Sequence, residues 1–196
     1  MHLSKKAEYA IRASIYLGMA AEMGRATVSG AELAEANRLP LKFVERILQE
    51  LREAGIVETY RGKFGGYALA KPATQIGVGQ LIRLVDGRLA PICCASESAY
   101  QPCTCPDEAH CGLRMIMIDV RNAIANILDR YSIAQVVEVT LRKMRRDGIV
   151  PPFAPEGTLT TTGEITRRKA DPSDGLLAGL SQLASFTPGS NGLEHI

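Results

Sequence analysis

The order of helix-capping and turn signals in the first seventy residues constrains the fold more than any other feature of this sequence. Apolar residues recur at helical spacing over 3–23, and Ser4 is suited to cap that helix. Ser29 and Glu32 then have the spacing of a capping box, in which each side chain binds the other residue's backbone N–H. We therefore expect a long helix followed by a short one that ends near Asn37.

A second long helix is expected over 41–54, directly after the turn that contains Pro40. Proline suits the first turn of a helix because its fixed φ is already helical and its missing N–H would have no partner there. Gly55 is placed to end this helix in a left-handed conformation. Helical spacing predicts the buried face, which consists of Val44, Ile47, Leu48 and Leu51.

Two short strand patterns, 56–60 and 66–70, enclose a basic, glycine-rich segment that predicts a hairpin turn. Helix, short helix, turn, helix and hairpin is the order of a winged helix-turn-helix, in which the hairpin is the wing. The expected fold class is therefore mainly α with a small β-hairpin. The winged helix-turn-helix domain would span 1–86 and end with a short helix over 78–85.

A winged helix-turn-helix places the start of its second helix in the DNA major groove, and charged wing residues suit the phosphate backbone or the minor groove. Lys42 and Arg46 lie four residues apart on one helix face, and Arg46 is the better candidate to bind guanine with two hydrogen bonds. The expected DNA contacts are Lys5, Lys6, Leu41, Lys42, Phe43, Arg46, Arg61, Gly62, Lys63, Gly65 and Tyr67. Two alternatives stay open: these charges only solvate a helix face, or the domain binds a protein.

The five cysteines of the chain all lie within one polar loop of nineteen residues. They are Cys93, Cys94, Cys103, Cys105 and Cys111. Cysteines that serve only as core residues would be scattered along the chain. Their clustering therefore indicates thiolates that converge on a soft metal centre, either iron–sulfur or zinc, with redox-active thiols as a third interpretation.

The distribution of charge separates the head from the cysteine loop. Residues 1–72 carry eleven Lys or Arg against eight Asp or Glu, whereas 86–111 carry one against four. A basic head and an acidic loop fit DNA contact in one region and sensing in the other. The sequence has no apolar run long enough for a membrane span and its start is unlike a signal or transit peptide, so we expect a cytoplasmic protein with reduced thiols.

No catalytic constellation competes with this interpretation. Two of the three histidines lie near the ends of the sequence and the third, His110, adjoins a cysteine. The sequence also has no phosphate-binding glycine loop followed by Lys-Ser or Lys-Thr. We therefore expect neither an enzyme nor a protein with a small-molecule substrate.

An apolar seam after the last cysteine predicts a long helix to about residue 130. Its members, in alternating steps of four and three, are Leu113, Met117, Val120, Ile124, Ile127 and Tyr131. The head is too small to cover this seam, so we expect a homodimer, with packing inside one chain as the alternative. A second helix over 133–146 would complete a dimerisation region over 112–147. Residues 148–196 are expected to be a mostly disordered tail with one brief amphipathic helix over 176–186.

Three stretches together resemble the Rrf2 family of bacterial winged-helix transcription regulators, which includes IscR-, NsrR- and RirA-like proteins. They are LSKKAEYAIRASIYL, ELAEANRLPLKFVERILQELREAGIVETYRGKFGGYALAKP, and the cysteine loop with the long helix after it, and they span roughly residues 1–147. The resemblance implies a homodimer that binds a palindrome-like operator in double-stranded DNA. It also implies an iron–sulfur cluster whose state sets the DNA affinity.

The resemblance further implies which residues hold the cluster. In cluster-bearing members the last two of three cysteine ligands commonly have five residues between them, as Cys105 and Cys111 do here. The first ligand would be Cys94, with Cys93 as its alternative. The spacing from Cys94 to Cys105 is longer than usual in the family, and Cys103 is therefore a further candidate.

The fourth ligand varies within the family. Some relatives use a histidine three positions after the last cysteine, where this chain has Arg114. Others use an acidic residue on the first helix of the partner subunit, and Glu8 occupies the matching position.

The expected function is thus that of a homodimeric DNA-binding transcription regulator controlled by an iron–sulfur cluster. A [2Fe–2S] cluster is expected in preference to [4Fe–4S]. The cluster would sense iron–sulfur status, nitric oxide or redox state. The alternatives are a winged-helix regulator with zinc or bare thiols, or a protein-interaction module.

Overall fold

The computed structural model describes residues 3–87, 89–155, 171 and 174–184, which are largely helical. The fold class predicted from the sequence, mainly α with a small hairpin, is confirmed. The hairpin consists of antiparallel strands β1 (Val57–Tyr60) and β2 (Gly66–Leu69), and 3₁₀ turns cover Ala73–Gln75 and Cys93–Ala95. The helices are α1 (Lys5–Glu22), α2 (Gly30–Asn37), α3 (Leu41–Glu53), α4 (Val78–Asp86), α5 (Gly112–Asp129), α6 (Ile133–Arg146) and α7 (Leu176–Ala184).

The helix starts depend on local hydrogen bonds that the sequence predicted. Ser4 caps α1, its Oγ accepting a backbone N–H at 3.0 Å. Ser29 and Glu32 form the reciprocal capping box of α2, and Ser132 caps α6 in the same way. Because these bonds satisfy N–H groups that have no helical partner, they mark the starts of α1, α2 and α6 with interactions inside one helical turn.

Helix α1 is the central helix of the core, and small residues line the faces that it buries. It packs most extensively against α4 and α6, and also against α2 and α3. Ala10 and Ala13 are buried, and a Cβ on Gly18 would approach Cγ2 of Val137 to 2.8 Å. The distance between helix axes depends on the side chains at the contact, so these small residues let α6 lie close to α1.

The core is continuous between the winged-helix head and α6. Ile133 and Leu141 of α6 belong to the same buried cluster as the apolar face of α3. Two backbone hydrogen bonds also join the segments, from Ile133 N to Ile76 O at 2.8 Å and from Val78 N to Tyr131 O at 2.9 Å. Helix α6 therefore completes the core of the head within one chain.

Helix α5 packs less deeply than the other long helices. None of its eighteen residues, all of which the structure describes, is buried. One face rests on its own chain through Ala125 and Leu128, which contact the core. At its end, Asp129 accepts two hydrogen bonds of 2.7 Å from the guanidinium of Arg83 on α4.

Another face of α5 carries exposed apolar side chains that we call the α5 stripe. Its members are Leu113, Ile116, Val120 and Ile127, which are between 37% and 59% exposed. Three of these four belong to the seam predicted from the sequence, and Ile116 was not included in it. Of the other predicted seam residues, Met117 and Ile124 are half-buried and Tyr131 packs against the core of its own chain.

Part of the C-terminal tail lies within the described residues, namely 148–155, 171 and 174–184. Helix α7 contacts α6, and near its start Lys143 Nζ donates to the carbonyl oxygen of Asp174 at 2.8 Å. The predicted disorder concerns mainly residues that lie outside the described ones. No described helix combines the length and the apolar character needed to cross a lipid bilayer.

Candidate nucleic-acid interface and cysteine loop

Helix α3 buries one face and exposes the other, as its sequence predicted. The side chains of Val44, Ile47, Leu48 and Leu51 are buried. On the opposite side, Lys42 is exposed, Phe43 is 56% exposed and Leu41 is 42% exposed. The side chain of Arg46 is 76% exposed. Cations and small apolar surfaces near a helix start can reach base edges in a major groove, so this face is suited to DNA.

The cations at the start of α1 lie beside the same surface. Lys6 Nζ is 2.7 Å from the carboxylate of Glu50, and Arg46 Nε is 3.7 Å from that same carboxylate. Lys5 Nζ is 2.8 Å from the carboxylate of Glu8. Exposed ion pairs of this kind contribute little to stability. These cations can therefore exchange a carboxylate for a phosphate at small cost.

The wing is a tight hairpin whose conformation needs glycine at two of the predicted positions. Gly62 has a φ of +109°, and a Cβ on Gly65 would lie 2.4 Å from the carbonyl oxygen of Tyr60. Between and beside them, the side chains of Arg61 and Lys63 are exposed. The turn thus presents two cations from a backbone that larger residues at the glycine positions would distort.

The base of the wing is joined to the segment before α2. Val28 and Tyr67 form two backbone hydrogen bonds, of 3.0 and 2.8 Å, which anchor β2 to the head. The ring of Tyr67, one of the predicted DNA contacts, is half-buried and lies close to Gly30. Its side chain therefore packs against the head. Sequence reasoning did not single out Phe64, which is 84% exposed at the tip of the wing.

The cysteine loop (residues 87–111) brings four of its five thiols into a chain of contacts. Neighbouring thiols influence each other's ionisation, Cys94 with Cys103, Cys103 with Cys105, and Cys105 with Cys111. Cys94 is 5% exposed, Cys105 is exposed, and Cys93, on the 3₁₀ turn, is half-buried. The five cysteines, which all lie in the described part, form no disulfide. Nor do three or more Cys, His, Asp or Glu side chains of the described residues converge as a metal-binding group.

The contacts between thiols shift their ionisation in opposite directions. The backbone N–H of Cys105 lowers the pKa of Cys103. Hydrogen bonds with Cys103 and Cys111 raise the pKa of Cys105 to about 11, and burial raises the pKa of Cys94. Repulsion from neighbouring thiolates adds to the rise in pKa of both Cys94 and Cys105, so adjacent thiols do not ionise together.

Two arginines of α5 hold the loop in place. Arg114 Nε donates to the carbonyl oxygen of Cys94 at 3.0 Å and lies 3.2 Å from the carboxylate of Glu108. That carboxylate also accepts a hydrogen bond of 3.0 Å from Tyr100. Arg121 Nη1 donates to the Ala95 carbonyl oxygen at 3.0 Å. Sequence reasoning treated the first arginine only as a missing histidine and did not identify Glu108 or Arg121, because neither lies in a recognisable motif.

Hydrogen bonds also join the start of the loop to the start of α1. Ser98 Oγ donates to the carbonyl oxygen of Gly87 at 2.6 Å. The neighbouring Asp86 carboxylate accepts hydrogen bonds from both the backbone N–H, at 3.0 Å, and the hydroxyl of Ser4, the residue that caps α1. One turn further along α1, the hydrogen bond from Lys5 lowers the pKa of Glu8, which therefore stays ionised.

The chain is similar in sequence to known transcription regulators. A family model described as "Rrf2: Iron-dependent Transcriptional regulator" matches residues 3–139. An Rrf2-like HTH-type transcriptional regulator of Rhodobacter capsulatus is 34% identical over 137 residues, which cover 69% of this chain and 91% of that protein.

Two solved structures are similar over most of their lengths. CymR (YrzC), the global cysteine regulator of B. subtilis, superposes with a TM-score of 0.58 and 25% identity, covering 70% of this chain and 97% of that one. IscR of T. potens superposes with a TM-score of 0.56 and 26% identity, covering 71% and 88%. The family model matches more than two thirds of this chain, which therefore belongs to the Rrf2 family of DNA-binding transcription regulators.

Proposed function

We propose that this chain is a homodimeric transcription regulator whose affinity for a DNA operator is set by an iron–sulfur cluster held in the cysteine loop. The observation that carries the proposal is a continuous connection within one chain. Four thiols lie near one another in a loop, and Asp86, the residue directly before that loop, accepts hydrogen bonds from Ser4, which caps the helix whose first turn carries the cations Lys5 and Lys6.

The α5 stripe supports the homodimer. Its members recur at steps of three, four and seven residues, which is the spacing that two helices use when they pack along each other. Full burial of each such side chain is favourable by about 1.5–3 kcal/mol. A second copy of α5 supplies a matching apolar surface. Two heads paired in this way would read half-sites that lie roughly 34 Å apart, one turn of the duplex.

The donors in the loop fit an iron–sulfur cluster by their chemistry. Thiolates are the ligands that such clusters prefer, and the proposed ligands are Cys94, Cys105 and Cys111, with Glu8 of the partner subunit as the fourth. Cys93 and Cys103 remain the alternatives to these thiols. Because the sulfurs form a chain rather than a closed group, cluster binding requires the loop to draw them together.

A bound [2Fe–2S] cluster would supply a centre that responds to oxidants, nitric oxide or iron supply. The chain's own residues convert that response into a structural change. Arg114 and Arg121 tie the loop backbone to α5, and Asp86 ties its beginning to the cap of α1. A loop that rearranges therefore acts on the dimerisation helix and on the DNA-binding head together.

A cluster-free thiol regulator is the second candidate, and one observation favours it. The thiols of Cys94, Cys103, Cys105 and Cys111 already contact one another, so oxidation could join neighbours directly. A protein named as the global cysteine regulator is similar in structure. In this alternative DNA binding responds to oxidants while the protein contains no iron.

Anaerobic purification separates the two candidates. We expect a coloured protein with broad visible absorption, iron and acid-labile sulfide, and Cys105→Ser should remove all three because it deletes a central ligand. Thr104→Ala, an exposed neighbour of that cysteine, is the matched control and should keep the colour. An iron-free, colourless protein whose DNA binding still responds to oxidants supports the thiol regulator, and one that responds to neither oxidants nor chelators contradicts both.

The fourth ligand is tested in the same preparations. Replacement of Glu8 by alanine should leave the protein folded, since the side chain is partly exposed, but should alter the visible spectrum and speed the loss of colour in air. Glu22→Ala, at the other end of α1, is the control. An unchanged spectrum and unchanged lifetime of the colour in Glu8→Ala would show that the carboxylate is not a ligand.

A further inference from the structure

We propose that Phe64 is an apolar wedge that enters the DNA minor groove at the tip of the wing and bends the duplex there. The inference rests on the proposed DNA-binding function and adds a contact that is not electrostatic. It assigns a role in recognition to a side chain that the charges of the wing do not explain.

The ring of Phe64 is almost fully exposed to solvent. Phe64 is 84% exposed, the highest value among the large hydrophobic side chains that the structure describes. Lys63 Nζ lies 5.6 Å from the ring centroid, a distance at which a cation is attracted to an aromatic face. The ring thus has a charged neighbour, but most of its area contacts no other apolar side chain. Its transfer from water to an apolar surface is therefore available as binding free energy.

Hydrogen bonds hold the backbone beneath the ring in place. Thr27 Oγ1 donates to the carbonyl oxygen of Phe64 at 2.9 Å, and Gly65 N donates to the carbonyl oxygen of Gly62 at 2.9 Å. The approach of Gly65 to the carbonyl of Tyr60 leaves no room for a side chain at that position. A contact presented from a fixed turn loses little conformational freedom on binding, which favours a specific fit.

The positive charges near the ring indicate that its binding partner is DNA. The exposed cations Arg61 and Lys63 lie within three residues of the ring, on the same turn. They attract the phosphates on the walls of a DNA groove, and the aromatic side chain then faces the groove floor. Apolar side chains in the minor groove enter between base pairs, unstack them and bend the duplex by about 20–90°. Pyrimidine–purine steps such as TA and CA unstack most easily, so the wing should select one of them.

The experiment compares three variants on a duplex that the wild-type dimer selects from a random library. Phe64→Ala removes the ring and should weaken binding about tenfold, since it deletes an apolar contact of about 1.4 kcal/mol. It should also abolish the bend, measured by energy transfer between dyes at the duplex ends. Phe64→Leu keeps an apolar wedge and should retain most of the bend. Lys63→Ala should keep the bend but reduce the slope of log affinity against log salt by about two, since each subunit of the dimer loses one phosphate contact.

The outcomes distinguish this inference from the proposed function. A wild-type protein that selects no sequence contradicts the DNA-binding function itself. A wild-type protein that binds tightly but leaves the duplex straight overturns the wedge alone. A bend that survives Phe64→Ala also overturns it, whatever the affinity. Since the side chain is almost fully exposed, unfolding is not expected, and circular dichroism of the variant checks this.

Discussion

Helices α3 and α5 are both amphipathic, but the chain buries their apolar faces to different extents. Helix α3 has thirteen residues and buries four of them completely inside its own chain. Helix α5 has eighteen residues, all described, and buries none. The apolar face of α3 is therefore covered within one chain, whereas the α5 stripe stays exposed in the single chain.

The two regions should respond differently to substitution. The core beneath α3 is unimolecular, so changes there should act on folding at any protein concentration. The stripe is proposed to act through association, so changes there should act on assembly and on operator affinity. Substitutions at Leu48, Ile116 and Glu32 separate these effects.

The largest expected effect is on the folding of the head. Leu48 is fully buried between α3 and the rest of the core, and Leu48→Ala should lower the free energy of unfolding by about 3–5 kcal/mol. The cause is the loss of buried methyl groups together with the cavity that remains. Urea unfolding at two protein concentrations should give the same loss. Leu84→Ala, on the 45% exposed Leu84 of α4, is the matched control and should change stability far less.

The second effect is on assembly. Ile116 is the most exposed member of the α5 stripe, at 59%, and Ile116→Asp should leave one chain folded while separating the dimer. Operator binding should then weaken by at least about 100-fold, because the two half-sites are no longer bound by one molecule. Sedimentation velocity and a mobility-shift assay measure the two losses.

The control for this substitution adds the same charge to a different face of α5. Asn122 is exposed on α5, and no stripe residue lies three or four positions from it. Asn122→Asp should therefore remain dimeric. If Ile116→Asp stays a dimer of unchanged operator affinity, α5 is not the dimer contact, and the difference between α3 and α5 has another cause.

The smallest effect concerns acid stability of the head. The Arg25 guanidinium and then the Ser29 backbone N–H hold the pKa of Glu32 at about 2, below its ordinary value of 4.5. Since the folded pKa is the lower one, this carboxylate contributes stability that is fully present above pH 4.5 and is lost as the pH falls through about 2. The pair is half exposed, so the contribution is only about 0.5 kcal/mol after solvent screening.

Thermal unfolding of Glu32→Gln measures this contribution. The variant should be less stable than the wild type at pH 6 and should approach it near pH 2, because protonation has by then removed the same charge. The difference should not depend on protein concentration, since the capping box lies in the unimolecular head. A stability difference that grows as the pH falls would contradict the assignment.

Most helices and the hairpin were predictable because their signals are local. Ser29 with Glu32 and Ser132 with Gln135 satisfy backbone groups within one turn, and the burial of α3 follows from its own spacing. The supports of the cysteine loop were not predictable in this way. Glu108 and Arg121 act on residues that only the folded chain brings near them, and their sequence positions carry no periodic signal.

The amino-acid sequence alone determined where helices start, which face of α3 is apolar, and that the chain clusters its thiols in one loop. Only the tertiary structure decided that α6 completes the core of the head, that Tyr131 packs inward, and that Asp86 joins the cysteine loop to the cap of α1. The physical reason is the range of the interactions. Caps and helical periodicity act within a few residues, whereas close packing and hydrogen bonds between distant segments depend on the positions of all the elements together.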